Sequence, residues 1–131
     1  MVISEHAEQA ALINWSEIMS NKVPELDLLF AIPNGGQRHP AVAVKLKAEG
    51  VKPGIPDLFL PVARYGFHGL FIEMKREKGG TVSKIQKQKI KELQAQGYMV
   101  AVCKGFEHAK SVLEDYFKIN ARASNQELVK R

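Results

Sequence analysis

GVKPGIPDLFLPVARYGFHGLFIEMK, residues 50–75, decides the fold. Pro53-Gly54-Ile55-Pro56 breaks the chain, because two prolines and a glycine oppose any regular element there. DLFLPVA (57–63) and LFIEMK (70–75) are short apolar runs with strand character. GFHG (66–69) turns the chain between them, so the two runs read as a hairpin with a connection longer than a tight two-residue loop. Residues i and i+2 of a strand point to one sheet face, about 6–7 Å apart. Glu73 and Lys75 therefore share a face, and pairing of the strands sets Asp57 beside Glu73. Two carboxylates and an ammonium converge at one end of the hairpin.

Downstream, Gly79-Gly80 ends this unit. A helix is expected from about Ser83 to Gln96, with sparse apolar positions at Ile85, Ile90 and Leu93, stopped by Gly97. YMVAVC (98–103) is a continuous apolar run, the pattern of a strand covered on both faces. Phe106, Ala109, Val112, Leu113 and Tyr116 mark a last helix over about 106–117. Upstream, Ser4 caps a helix over 4–20 with Leu12, Trp15 and Met19 on its apolar face, and Pro24 closes it. LDLLFAI (26–32) reads as a strand, Asn34-Gly35-Gly36 as a loop, and Pro40 opens a helix that runs to about Glu49. The order is helix, strand, helix, strand, strand, helix, strand, helix. That is an α/β sandwich around one mixed sheet. It places the domain at 1–117 and leaves 118–131 as a polar tail.

With 131 residues and 45% hydrophobic residues, the chain fits one domain with an ordinary core. Cys103 is the only cysteine, which excludes an internal disulfide and a Cys-rich zinc site and reads as a buried apolar thiol. No apolar run approaches the roughly 18 residues of a membrane span. The start, MVISEHAEQAALINW, lacks the basic leader of a signal peptide. A soluble, cytoplasmic protein is expected. The net charge of +5 is unevenly spread. Residues 1–31 carry five acids and one base, whereas residues 75–91 carry seven bases and one acid. Such clustering is an electrostatic footprint for a polyanion.

The acids and the lysine suit phosphodiester cleavage. Mg²⁺ takes one or two carboxylates and keeps water and phosphate as its other ligands. The ion polarises the phosphoryl oxygen and acidifies bound water, and a neighbouring lysine orients that water or offsets transition-state charge. Asp57 and Glu73 are the candidate ligands, with the Met74 carbonyl as a further oxygen. An isolated Glu-x-Lys at a strand end is ordinarily a solvated ion pair. The apolar run up to Glu73 and the upstream Gly-Ile-Pro-Asp oppose that reading here. In Asn34-Gly35-Gly36-Gln37-Arg38-His39, Gly36 allows close backbone approach and Arg38 grips phosphate. Lys45, Lys47 and Lys52 precede the Pro-Asp motif, and Lys84 and Lys87 follow the Glu-Lys motif. Contacts from such lysines position a duplex without reading its sequence. His39 and His68 lack partners at a ligand spacing and read as surface or loop residues.

Taken jointly, GVKPGIPDLFL and LFIEMKREKGGTVSKIQKQKIKELQAQGYMVAVC resemble the VRR-NUC domain of the PD-(D/E)XK nuclease superfamily. The resemblance runs from about Glu5 to Val112. It implies a restriction-endonuclease-like α/β fold, in which Asp57 is the metal-binding aspartate, Glu73 the second acid, Lys75 the catalytic lysine and Gln86 the glutamine of the following helix. An acid on the first helix completes the metal site in this superfamily. Glu5 and Glu8 both qualify, and Glu5 is favoured because it shares a face with Gln9. The resemblance further implies Mg²⁺ or Mn²⁺ and no small-molecule cofactor. It also implies a stand-alone, phage-type homodimer that cuts branched DNA such as Holliday junctions. A non-catalytic nucleic-acid-binding protein and a restriction-like or RNA-directed nuclease are the alternatives.

Overall fold

The structure is a computed structural model, and it describes residues 3–33 and 39–119. Helix α1 spans Glu5–Met19, with the Ser4 side chain accepting from the Ala7 N–H at 3.1 Å. After it come strand β1 (Phe30–Ala31), helix α2 (Pro40–Ala48), strands β2 (Leu58–Leu60) and β3 (Leu70–Lys75), helix α3 (Lys84–Ala95), strand β4 (Met99–Lys104) and helix α4 (Phe106–Phe117). The strands form one mixed sheet in the order β1-β2-β3-β4. β2 is antiparallel to both its neighbours, and β3 runs parallel to β4. A parallel pair needs a crossover between its strands, and α3 supplies it. The fold is the mixed α/β sandwich expected from the order of elements.

The pleat sorts the residues of β3 onto two faces. Leu70, Ile72 and Met74 join Leu58, Leu60 and Cys103 in the core, under Leu12 of α1 and Ala109, Leu113 and Tyr116 of α4. Phe71, Glu73 and Lys75 point the other way, and Phe71 stacks on Phe59 with centroids 4.3 Å apart. Every residue of β3 is buried. The Leu58↔Ile72 pairing holds the two carboxylate-bearing segments side by side. Cys103 is fully buried and burial pushes its thiol up to about 12, so it remains an inert apolar group.

Three local expectations need correction. The run 26–32 is mostly not a strand. Pro24 opens a 3₁₀ helix over Pro24–Leu28, and only Phe30–Ala31 pairs. Proline's fixed φ suits a first helical turn, and a three-residue repeat buries both Leu26 and Leu29. The strand expected over 57–63 ends at Leu60, because Pro61 has no N–H to give a ladder. The hairpin connection is long, as expected, with residues 61–69 joining β2 to β3, but it holds a tight turn of its own. Arg64 and Phe67 bridge around Tyr65 and Gly66, which take φ of 55° and 83°. Tyrosine in a position that favours Gly, Asn or Asp hid that turn from a reading of residue types. Finally, β4 is the edge of the described sheet and is buried only at Cys103, so its continuous apolar run did not signal two covered faces.

Candidate active site

The site stands where β2 and β3 part. Backbone pairing of these strands stops at Leu58↔Ile72, and the Met74 N–H beyond it donates to Asp57 Oδ2 at 2.7 Å. The Asp57 carbonyl in turn accepts from the Ile32 N–H at 2.7 Å, which anchors the segment that carries the aspartate. The N–H and C=O of one strand residue face the same edge, so the Met74 carbonyl also looks toward Asp57. Glu5, His6, Gln9, Pro33, Asp57 and Met74 line a cleft of about 480 Å³ at this end of the sheet.

Glu73 is 2% exposed and Lys75 7%. The Lys75 Nζ lies 3.2 Å from Glu73 Oε2. Gln86, entering from α3, spans the pair. Its Nε2 donates to Glu73 Oε2 at 2.8 Å, and its Oε1 accepts from Lys75 Nζ at 3.0 Å. The same Oε1 accepts from the Ser83 N–H at 2.9 Å, while Ser83 Oγ accepts from the Gln86 N–H at 3.2 Å. This is a reciprocal capping box. One glutamine thus closes the helix end and locks the acid and the lysine in mutual register. Ser83 was missed as a contributor. The Ser-x-x-Gln spacing before the helix was the signal that could have found it.

The electrostatics of the two acids are strained. Burial raises Glu73 to about 7, the neighbouring Asp57 charge adds to the rise, and Lys75 opposes it. Burial also raises Asp57; the charge of Glu5 pushes further, while the Met74 N–H and Lys75 oppose. The Lys75 ammonium alone does not let two carboxyls this close and this dry both ionise comfortably. Their hard oxygen donors suit Mg²⁺ or Mn²⁺ rather than a soft metal. Among the described residues no three Asp, Glu, His or Cys side chains converge into a metal-holding cluster. Asp57 and Glu73 form a pair, and Glu5 faces Asp57 across the cleft.

The two first-helix acids take different places. Glu5 is exposed toward the cleft. Glu8 is buried and turned away, and its Oε1 accepts from the Phe106 N–H at 2.9 Å. That N–H belongs to the first turn of α4, where Gly105 stands at the N-cap without a side chain to satisfy it. Glu8 therefore ties α1 to α4, a role that only the tertiary fold reveals. Lys84 and Lys87 flank Gln86 on the exposed side of α3, and Lys45 is exposed on α2. Gly36 and Arg38 lie outside the described residues. His39 caps α2, its Nδ1 accepting from the Ala41 N–H at 3.2 Å, and the His68 ring packs against Gly97 and Tyr98.

A fold with two acids and a lysine at the diverging ends of two strands is that of a PD-(D/E)XK nuclease-type domain. Residues 3–107 match the VRR-NUC domain family. A solved structure described as a VRR_NUC domain protein is 33% identical, with a TM-score of 0.77, covering 92% of this chain and 93% of its own. No curated protein matches. The chain belongs to the VRR-NUC family, a nuclease-type family. Among the described residues, no helix is long and apolar enough to cross a membrane.

Proposed function

We propose that this protein is a Mg²⁺- or Mn²⁺-dependent endodeoxyribonuclease that hydrolyses phosphodiester bonds, with a preference for branched DNA. The observation that carries the reading is the buried Glu73, held to Lys75 by Gln86 and set against Asp57, which lines the cleft. Asp57, Glu73, Glu5 and the Met74 carbonyl would hold the ion, which supplies Lewis acidity to a phosphoryl oxygen and lowers the pKa of bound water. Lys75 brings a positive charge to the attacking water and to the charge that develops in the transition state. Gln86 keeps Glu73 and Lys75 from drifting apart. Lys84, Lys87, Lys45, Gly36 and Arg38 would contact the phosphate backbone, binding without sequence choice.

Branched substrates and a homodimer rest on the family. A C₂ dimer places two cuts symmetrically across a junction. The test is cleavage of a labelled four-way junction and a matched linear duplex, with Mg²⁺, Mn²⁺ or EDTA, by wild type and Glu73→Ala. Metal-dependent cutting of the junction, lost in the variant, is expected. Equal cutting of the linear duplex overturns the junction preference alone. Binding without cutting of either DNA overturns the endodeoxyribonuclease reading in favour of a binding module or an RNA target.

A further inference from the structure

A second pocket, this one basic, lies away from the acidic cleft. It measures about 400 Å³, and its walls include Lys22, Glu25, Arg64, Tyr65, Phe117 and Lys118. Helix α1, 15 residues long, has Glu5 at the cleft and Met19 at its other end, about 21 Å away at 1.5 Å per residue. Lys22 follows three residues later. The pocket is thus roughly 20 Å from the acidic pair and shares no residue with the cleft.

Its construction is unusual in one respect. Tyr65 and Lys118 are the only non-glycine residues with positive φ among those described, at 55° and 57°, and they touch. Left-handed backbone is strained for an ordinary residue, and asparagine or glycine would relieve it. The surroundings hold Tyr65 there instead. Its hydroxyl donates to the Asp115 carbonyl at 3.1 Å, its ring meets Tyr116 edge-on at 5.9 Å, and the Lys118 ammonium sits 5.6 Å from its centroid. Despite these contacts Tyr65 is 56% exposed. A fixed, strained, solvent-facing ring is the kind of feature that clusters at binding sites. Arg64 stacks 5.3 Å from the Phe117 centroid and pairs with Glu25 at 3.3 Å, so the one lining acid is already taken. Lys22 and Lys118 leave the pocket positively charged.

We propose that this pocket binds an unpaired stretch of DNA, with a base stacked on Tyr65 and its phosphates held by Lys22 and Lys118. A rigid aromatic ring ringed by cations is the arrangement that captures single strands without reading sequence. The inference rests on the DNA-cutting reading and deepens it. Duplex DNA, at about 3.4 Å per base pair, covers the gap to the cleft in about six base pairs. The protein therefore measures that distance between a cut and an unpaired segment.

The test uses the full chain in EDTA, with fluorescence anisotropy of labelled hairpin duplexes ending blunt or in a tail of about six thymidines. Wild type binds the tailed duplex more tightly. Tyr65→Asn fits the left-handed backbone but lacks the ring, and it lowers the tailed-to-blunt affinity ratio about tenfold. Tyr65→Phe keeps the ring and restores the ratio. The double variant Lys22→Gln/Lys118→Gln reduces the salt slope for the tailed duplex by about 1.4, two single-strand phosphates' worth. A ratio unmoved by Tyr65→Asn, in a variant that melts cooperatively, overturns the proposal. So does a poly-glutamate peptide that competes with the tail as well as an oligothymidine does, which points to an acidic protein partner. Cutting by the same wild-type preparation in Mn²⁺ is read separately, so loss of the pocket and loss of the nuclease reading are distinguishable.

Discussion

Replacing Glu73 with glutamine should stabilise the metal-free protein at pH 8. The side chain is 2% exposed, and its carboxyl titrates at about 7 in the fold against 4.5 ordinarily. Between those values the folded chain holds a proton that the unfolded chain has lost. Stability therefore falls as pH rises through this window, and is fully present only below 4.5. The gap corresponds to at most about 3 kcal/mol. Glutamine imitates the protonated acid. Its carbonyl oxygen can still accept from Gln86 Nε2 and Lys75 Nζ, while its amide faces Asp57. Thermal melts by circular dichroism in EDTA, at intervals from pH 4.5 to 8, should show the two proteins alike at the acid end. At pH 8 the variant should melt higher, by on the order of 10 °C. Mn²⁺ at pH 8 should raise the wild-type Tm and leave the variant's nearly unmoved. A difference in Tm that is constant across the pH range, or a wild type that is the more stable at pH 8, would refute the claim that the acids repel each other in a dry site.

Glu8→Ala should cost about 2 kcal/mol in urea melts, since it leaves the Phe106 N–H unpaired in a covered place, and the response of Tm to Mn²⁺ should survive. Glu5→Ala should do the reverse, changing stability by less than about 0.5 kcal/mol and weakening the Mn²⁺ response, because its carboxylate is exposed on the cleft. Gln86→Leu should lower cutting more than about tenfold with DNA affinity retained, read by single-turnover cleavage beside anisotropy, since it frees Lys75 and Glu73 from their shared clamp. Gly54→Ala should destabilise by about 1–3 kcal/mol in urea melts. Its φ is +82°, and an added Cβ would stand 2.4 Å from Ile85 Cγ2 on α3.

Much of the fold was legible because the information is local. Ser4, Pro40, Gly97 and the apolar run LFIEMK announce caps, stops and strands within a few residues of themselves. The order of elements, the mixed sheet and the pairing of Asp57's segment with Glu73's strand followed from them. Where residue types misled, a tertiary demand had overruled a local preference. Tyr65 occupies a position that suits glycine because Tyr116, Asp115 and Lys118 hold it. The run 26–32 winds into a 3₁₀ turn because the core takes Leu26 and Leu29.

The sequence by itself determined which groups are the candidates for the chemistry, since acids and a lysine at strand spacing are a property of the chain. Only the tertiary structure decided how they are held. Glu5 and Glu8 are indistinguishable along the helix. A backbone N–H donated from 98 residues away draws Glu8 into the interior and leaves Glu5 at the cleft. Gln86 is one of several glutamines on a soluble helix until the parallel crossover lays that helix over β3 and brings its amide onto Glu73 and Lys75. Burial does the rest. A carboxyl has its ordinary affinity for protons until the fold removes its water, and it is burial between sheet and helix, not the residue, that makes Glu73 hold its proton to about pH 7.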